Sequence, residues 1–394
     1  MKKSILLMSA LFFCGMTALA QEPLYKMKLT LQDGSKLAAL TDEIDSMQLT
    51  TVKAAEVHVT ERYKTSSSIG INIEAEASVT RVQAAIVAGS EKDPNINYTE
   101  YVQKHSVCDA KGSYTLAFDF LKPESIYTIY VLDENGLPTG LKSLTCSTGA
   151  VADDPFTVTT THVGTTTLKY NVTAKDASVK YCTFATGYDY YQRWQLEEGT
   201  NGDVIKHFIS MWSTFASWYG ENWQTMMKYD RREGTYEGDG NHLMWDARQV
   251  VITFGMDDDG NLVTPIQVDS IHTNAPTPVD MDIPLTVLSN EWGDQQIKAA
   301  PTTNTPYFIT MQPAYVDLYK TDAALLRALC YEADNINPTD LARTRDEDLR
   351  EGLWEFRVRK DVDTDYYIIA VGLDEGAPAT RAFKTKITVP GGSF

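Results

Sequence analysis

Residues 127–139 read Tyr-Thr-Ile-Tyr-Val-Leu-Asp-Glu-Asn-Gly-Leu-Pro-Thr, and a second segment rich in strand-forming residues follows from Leu141 to Thr148. Aromatic and β-branched residues that alternate with polar ones favour a half-buried β-strand. Gly136 offers the positive φ that a tight turn requires. The segment therefore predicts a β-hairpin that turns near Asp133.

The same pattern occurs twice more along the chain. Residues 250–264 carry a strand-like run, Asp257 and Gly260, and residues 366–380 carry another, with Asp374 and Gly376. Each is followed by a second strand-like run, at 265–273 and 381–388. An internal repeat of this kind indicates consecutive copies of one structural unit, so we predict that each unit ends in the same hairpin.

The segments before the hairpins also match one another. Each unit opens with two short strand-like runs, at 54–61 and 68–74, at 155–161 and 165–173, and at 283–288 and 296–300. Short strands separated by frequent turns indicate β-sandwiches rather than βαβ units. The predicted fold class is therefore mainly β: tandem Ig/fibronectin III-like β-sandwiches, with helical insertions in the second and third units. The predicted units span 53–150, 153–275 and 280–390.

The predicted helical insertions span 202–246 and 320–352, whereas the first unit carries only a short polar insertion at 91–112. In the second unit, Asp203 can cap a helix whose apolar stripe recurs every three or four residues. That stripe contains Val204, Phe208, Met211, Phe215 and Trp218. The third insertion predicts a helix over 322–333, with Leu325, Leu326 and Leu329, and another from Thr339 to about Glu351.

The first 20 residues have the order of a secretory signal peptide. Lys2 and Lys3 precede an apolar run from Ile5 to Phe13, and Ala18-Leu19-Ala20 precedes Gln21. We expect cleavage between Ala20 and Gln21 and export to the periplasm, the outer-membrane surface or the medium. A lipid anchor on Cys14 is the disfavoured alternative, because Phe12 and Phe13 stand where small residues are preferred. No later segment is long and apolar enough to predict a transmembrane helix.

The charge and the cysteines of the chain indicate which kinds of partner, metal site and disulfide to expect. After loss of Lys2 and Lys3, 33 basic residues face 53 acidic ones, a net charge of about −20. Such a surface repels nucleic acid, so none is expected as a partner. The cysteines left after cleavage lack metal-ligand spacing, so the sequence predicts neither a metal site nor a cofactor. Cys108 and Cys146 lie in one unit and can form a disulfide, whereas Cys182 and Cys330 are expected to be free.

The segment before the first unit carries a further signature. Residues 25–32 form a predicted strand, Asp33-Gly34-Ser35 a turn, and Glu43-Ile-Asp-Ser-Met47 follows a second strand. This pattern resembles the leader module that follows the signal in many exported proteins of Bacteroidetes-type bacteria. The later units, with Gly372-Leu-Asp-Glu-Gly376 and Gly255-Met-Asp-Asp-Asp-Gly260, are similar to the immunoglobulin-like repeats of those proteins. The resemblance implies a module at 21–52 and an architecture, and it implies no activity.

Aromatic residues concentrate in the second insertion and just before it. They suit either a core between the helix and its sandwich or an exposed platform for a sugar or peptide. The helical spacing favours the core, with Trp218 buried. Trp223 follows Gly220, which favours a helix end, so it is predicted to lie on a turn and reach solvent. The binding candidates are Trp194, Trp223, Tyr190, Tyr191 and Trp245.

Catalytic motifs are absent from the sequence. The six histidines never occur at HxH or HxxxH spacing, and neither a GxSxG nucleophile motif nor a glycine-rich phosphate loop is present. Asp257 to Asn261 fits a hairpin turn better than a calcium loop, because Leu262 occupies the position of the required glycine. The leading hypothesis is a noncatalytic exported or cell-envelope protein that binds glycan, peptide or another envelope protein through its helical insertions. The alternatives are a structural spacer and, less favoured, a hydrolase with a site between units.

Overall fold

In a computed structural model of the protein, the described residues are 26–30, 36–40, 55–76, 79, 81–110, 112–133, 136–289, 295–330, 349–358 and 364–389. Strands β1 (Lys26–Thr30) and β2 (Lys36–Leu40) belong to a compact unit that ends at Lys53. They pair antiparallel, with Lys26 opposite Leu40 and Thr30 opposite Lys36. This is the hairpin predicted for the N-terminal segment, and its turn at Asp33-Gly34 lies outside the described residues.

The first sandwich consists of two antiparallel sheets. Its elements are β3 (Val57–Lys64), β4 (Ile69–Ala75), β5 (Val82–Ala88), α1 (Tyr98–His105), β6 (Cys108–Ala110), β7 (Tyr114–Phe118), β8 (Ile126–Asp133) and β9 (Lys142–Ser147). The strand orders are β3-β4-β7 and β6-β5-β8-β9. Side chains of both sheets, among them Ile71, Leu116 and Ile129, pack into one core.

The second sandwich repeats this plan and adds three helices. Its elements are β10 (Phe156–Val163), β11 (Leu168–Ala174), β12 (Tyr181–Gly187), α2 (Tyr188–Leu196), α3 (Val204–Tyr219), α4 (Trp223–Asp230), β13 (Thr235–Gly240), β14 (Arg248–Gly255) and β15 (Gln267–His272). The strand orders are β10-β11-β13 and β12-β14-β15. The helical part thus begins at Tyr188, directly after β12, and not at the predicted position 202.

The third sandwich has the same two-sheet plan. Its elements are β16 (Leu285–Ser289), β17 (Gln295–Ala299), β18 (Tyr307–Pro313), α5 (Asp322–Cys330), β19 (Leu349–Arg350), β20 (Trp354–Val358), β21 (Thr364–Asp374), β22 (Ala377–Pro378) and β23 (Phe383–Val389). One sheet has the order β16-β17-β20, and in the other β21 pairs with β18, β22 and β23. Short 3-10 helices lie at Pro138–Gly140, Val151–Asp153 and Ala314–Leu318.

The predicted fold class is confirmed, because the chain is mainly β and consists of tandem two-sheet sandwiches. The three predicted closing hairpins pair as β8 with β9, β14 with β15 and β21 with β23. Gly136, Gly260 and Gly376 have φ of 62°, 89° and 85°, as the turns require. The boundaries 53–150, 153–275 and 280–390 stay predictions.

The strands that enter these hairpins are buried on both faces, so their interpretation as half-buried strands is wrong. In β8 every residue after Ile126 is buried, and in β14 every residue after Arg248 is buried. One face packs on the other sheet of its sandwich, and the second face packs on a helix of the same sandwich. The same holds for β21, whose Ile369 and Val371 contact the helix residues Leu325 and Leu329. A helix therefore adds a third layer to each sandwich.

The first insertion was predicted to be only short and polar, yet it contains α1. The Asn97 side chain accepts a hydrogen bond from the Glu100 N–H and so caps this helix. Tyr98 and Val102 are buried against Tyr130, and the rings of Tyr98 and Tyr130 stack at 4.3 Å. Two buried side chains one turn apart hold this short helix on the sheet. Polar residues surround them in the sequence, so no apolar pattern there predicts a helix.

The disulfide considered between Cys108 and Cys146 does not form, since Cys146 is a free buried thiol, as is Cys182. The sheet order gives the reason. Cys108 lies on β6 and Cys146 on β9, the two edges of the sheet β6-β5-β8-β9. Edges three inter-strand spacings of about 4.8 Å apart exceed the reach of a disulfide. Cys330 ends α5, and its side chain lies outside the described residues.

Two expectations about the third insertion have different outcomes. The helix predicted over 322–333 exists as α5, with Leu325 and Leu326 buried. The second helix, from Thr339 to about Glu351, falls mostly outside the described residues, and its predicted end is wrong because Leu349–Arg350 is strand β19. Within the part of the chain that the structure describes, no helix is long and apolar enough to cross a bilayer.

Candidate functional site

Helix α3 is the central element of the second insertion, and local sequence signals set both of its ends. The Asp203 carboxylate accepts a hydrogen bond from the Ile205 N–H at 3.1 Å, which confirms the predicted N-cap. Gly220 ends the helix in the left-handed conformation, with φ of 70°. The helix therefore begins and ends at defined residues, and helical geometry sets the direction of each side chain between them.

The buried side of α3 packs on the sheet β12-β14-β15. Its buried residues are Val204, Ile205, Phe208, Trp212 and Ala216. Phe208 stacks on Phe184 at 4.3 Å, and both contact Phe254 of β14. Trp212 is 1% exposed, and its indole N–H donates to the Asp230 carboxylate at 2.6 Å. The indole thus fills the core and also ties α3 to the end of α4.

A second apolar surface of α3 faces solvent. It consists of Phe215, Trp218 and Tyr219, which are 41%, 69% and 73% exposed, and we call it the aromatic face. The rings of Phe215 and Trp218 meet edge to face, with centroids 5.2 Å apart and planes at 88°. Large apolar side chains clustered on a surface mark interaction sites more often than isolated ones do.

The polar groups beside the aromatic face are already bound within the helix. The hydroxyl groups of Ser213 and Thr214 donate to the carbonyl oxygens of Ile209 and Ser210. The Ser217 hydroxyl donates to the Thr214 carbonyl at 2.7 Å. These three hydroxyl donors are therefore already engaged, and the polar groups of the aromatic face itself are the Trp218 indole N–H and the Tyr219 hydroxyl.

The predicted contrast between Trp218 and Trp223 is wrong in both directions. Trp218, assigned to the core, is exposed. Trp223, assigned to an exposed turn, is the first residue of α4 and is half-buried, with its ring parallel to that of Trp212 at 6.4 Å. A Cβ on Gly260 would overlap the Trp223 ring, which shows how closely the Asp257–Gly260 turn covers it. Of the predicted stripe, Val204 and Phe208 are buried, whereas Phe215 and Trp218 are exposed and Trp212 and Ala216 are buried in the later turns.

The remaining binding candidates also make contacts within the protein. Trp194 stacks on His207 at 4.5 Å, and Tyr190 lies beneath the Arg193 guanidinium. Tyr191 is 1% exposed, so it is not available to a ligand from solvent. Trp245 is half-buried against the third sandwich, beside the cluster of Leu325 and Leu329. Binding by Trp194, Trp223, Tyr190 or Trp245 stays a prediction.

The insertion is fixed to the first sandwich through the turn that precedes α3. Arg62 of β3 donates to the Asp203 carboxylate at 2.9 Å, and the Thr115 N–H donates to the Asn201 carbonyl at 2.8 Å. Between them, Gly202 has φ of 80° and lies against the Thr115 carbonyl and the Tyr114 ring. We call this contact the Gly202 joint, and it holds the base of α3 on the neighbouring sandwich.

A buried polar cluster lies next to this joint. The Asp119 carboxylate accepts a hydrogen bond from the Ser68 hydroxyl at 2.6 Å and faces the Tyr191 hydroxyl. Burial raises the pKa of Asp119 above its usual value, and the two hydroxyl groups lower it in part. Burial, followed by the nearby Asp119 charge, raises the pKa of Tyr63. Tyr191 is buried, and the Arg248 guanidinium lies 4.4 Å from the centroid of the Phe120 ring, so this cluster supports the contact between the two sandwiches.

The histidine on α3 has a structural contact. The Glu197 carboxylate accepts a hydrogen bond from the His207 Nδ1 at 2.7 Å, and the His207 ring stacks on Trp194. Groups of three or more His, Cys, Asp or Glu suited to a metal ion are absent from the described residues.

Known proteins add little to this description. No family model matches the chain, and no curated protein matches it. Among solved structures, it is similar to the central fibronectin-III array of a RIM-binding protein, at 10% identity and a TM-score of 0.17, over 64% of this chain and 82% of that chain. At such a TM-score the likeness supports no further conclusion, and the fold class rests on the sheets described above. The chain is a tandem β-sandwich repeat protein with helices on the outer face of each sandwich.

Proposed function

We propose that this chain is a noncatalytic exported protein, secreted or associated with the cell envelope, that binds a protein or peptide partner through the aromatic face of α3. The observation that carries the proposal is the exposure of Phe215, Trp218 and Tyr219 in the last turns of a helix that buries five other residues against its sandwich. Aromatic side chains of this size are the usual anchors of protein interfaces, where they insert into pockets of the partner.

The geometry of the aromatic face favours a peptide or protein over a glycan. A sugar ring stacks on a flat aromatic platform and adds hydrogen bonds from nearby polar groups. Here the Phe215 and Trp218 rings are perpendicular, and the neighbouring hydroxyl groups donate to carbonyls of their own helix. The perpendicular rings therefore suit an apolar groove of a protein or peptide partner better than they suit a flat sugar ring.

Export is the second part of the proposal. It is supported by the order of Lys2-Lys3, the apolar run and Ala18-Leu19-Ala20, and by the resemblance of residues 25–47 to the leader module of exported proteins. We expect the mature protein to begin at Gln21 when its N-terminus is sequenced. A diacylglyceryl group on Cys14 would instead place the protein on a membrane surface as a lipoprotein.

Substitution of Trp218 tests the binding proposal. We expect the mature wild-type protein to be retained on members of a random-peptide array, and Trp218→Ala to lose about 30-fold in affinity for them, as removal of a central interface aromatic does. Ser217→Ala is the matched control, because Ser217 is also exposed on α3 and its hydroxyl donates to the Thr214 carbonyl of the same helix. Its affinity should equal that of the wild type.

The outcomes separate the competing functions. The same proteins are also applied to a glycan array. Retention on the glycan array and not on the peptide array would favour the glycan alternative. Retention on neither array, or equal peptide binding by wild type and Trp218→Ala, would contradict the proposal and favour the structural spacer. Thermal melts of each variant show that any loss is not a loss of folding.

A further inference from the structure

A cleft of about 290 Å³ lies where the second and third sandwiches meet, remote in sequence from the aromatic face. Four segments of the chain line it. Thr167 comes from the turn between β10 and β11, Asn241 and His242 come from the loop after β13, and Leu349 and Glu375 come from the third sandwich. We call it the joint cleft.

The walls of the joint cleft are held together by direct hydrogen bonds. The Thr165 and Thr166 hydroxyl groups donate to the Glu375 carbonyl oxygen at 3.0 and 2.8 Å. The Thr277 N–H donates to the Asp374 carboxylate at 2.6 Å. The cleft residues of the two sandwiches are therefore held in position relative to one another. This lowers the entropic cost of ordering them when a ligand binds.

Two of the lining residues have an unusual backbone conformation. His242 has φ of 56° and Glu375 has φ of 45°, in the left-handed region that glycine usually occupies. For Glu375 this conformation belongs to the hairpin turn that it forms with Gly376. His242 lies in a loop, where a strained backbone is held in place by its surroundings, as is common at ligand-binding positions. Here the conformation places an imidazole and a carboxylate at the same opening.

We propose that the joint cleft binds one neutral, hydroxyl-rich ring, such as a single sugar residue. Hydroxyl groups of a sugar can pair with four groups of the lining: the Glu375 carboxylate, the Asn241 amide, the His242 imidazole and the Thr167 hydroxyl. The Asn241 amide nitrogen also donates to the Asp239 carboxylate at 2.9 Å, and one Glu375 oxygen accepts from the Thr165 N–H at 3.3 Å, and these bonds hold both side chains in place. Leu349 supplies apolar contact for the C–H face of the ring. Among the described residues, neither Lys nor Arg lines the cleft, and the one charged lining group is the Glu375 carboxylate, which disfavours an anionic ligand. A volume at the lower end of ligand pockets fits one ring and not an extended chain.

Calorimetric titration of the full mature chain with glucose, galactose, mannose and N-acetylglucosamine tests this site. We expect at least one of them to bind with a millimolar or tighter Kd. Glu375→Gln keeps the shape of the side chain and its acceptor for the Thr165 N–H, yet it removes the charge. We expect it and Asn241→Ala each to weaken binding about tenfold, with unchanged melting temperatures.

Trp218→Ala distinguishes this site from the aromatic face, and it should bind the same sugar as tightly as the wild type. The proposal is wrong if none of the four sugars binds the wild type, or if Glu375→Gln and Asn241→Ala both bind as the wild type does. A loss caused by Trp218→Ala alone would assign the sugar to the aromatic face and would also overturn the proposal. Failure of peptide binding leaves this result unaffected, because the two sites are lined by different residues.

Discussion

Replacement of Trp212 by Ala is expected to lower the free energy of unfolding by about 3–5 kcal/mol, the usual cost of removing a large buried aromatic ring. Trp212 is 1% exposed, contacts Phe208 and Trp223, and donates to Asp230. Its loss would leave a cavity between α3 and the sheet and release the end of α4. Urea unfolding followed by far-ultraviolet circular dichroism measures the change.

Trp218→Ala is the matched control, since the two tryptophans lie on the same helix. Trp218 is 69% exposed, so its removal should change the free energy of unfolding by no more than about 0.5 kcal/mol. Equal destabilisation by the two substitutions would show that α3 is rotated in solution relative to the structure, and it would remove the basis of the aromatic face.

Substitution of Gly202 by Ala is expected to destabilise the protein by about 2–5 kcal/mol, from backbone strain at positive φ together with overpacking. A Cβ at this position would overlap the Thr115 carbonyl oxygen and the Tyr114 ring. The carbonyl cannot move aside easily, because Thr115 is paired in β7 and its N–H is bound to Asn201. The measurement is again urea unfolding.

Gly199→Ala isolates the backbone contribution. Gly199 has φ of 87°, close to that of Gly202, but no atom lies within 4 Å of the position of its Cβ. Its substitution should cost only about 1 kcal/mol. The difference in free energy of unfolding between the two variants therefore measures the packing of the Gly202 joint. Similar losses of stability for both would mean that the insertion does not pack on the first sandwich in solution.

Local signals in the sequence are sufficient to predict the closing hairpins and the ends of α3. The closing hairpins follow from strand-forming runs that end at Gly136, Gly260 and Gly376, and each signal acts within a few residues. Both ends of α3 are likewise encoded by Asp203 and Gly220, whose roles depend only on the adjacent backbone. These features could be predicted because they depend neither on a residue distant in the sequence nor on which face of an element packs against its neighbour.

The candidate site could not be predicted in the same way. The apolar residues of α3 extend around much of its circumference, so a stripe through Met211, Phe215 and Trp218 and one through Trp212 and Ala216 both satisfy helical periodicity. Only the sheet β12-β14-β15 beneath the helix selects Trp212 and Ala216 for burial. Trp223 is half-buried for a related reason, since it lies on Trp212 and under the turn at Gly260.

What the sequence by itself determined is the repeated strand and turn pattern, and with it a tandem β-sandwich protein with caps at the helix ends. What only the tertiary structure decided is which faces are covered. Helices close the second face of the sheets that contain β8, β14 and β21, and α3 leaves Phe215, Trp218 and Tyr219 in solvent. The physical reason is that turns and caps are fixed by neighbouring backbone groups, whereas burial depends on elements distant in sequence that meet only after folding.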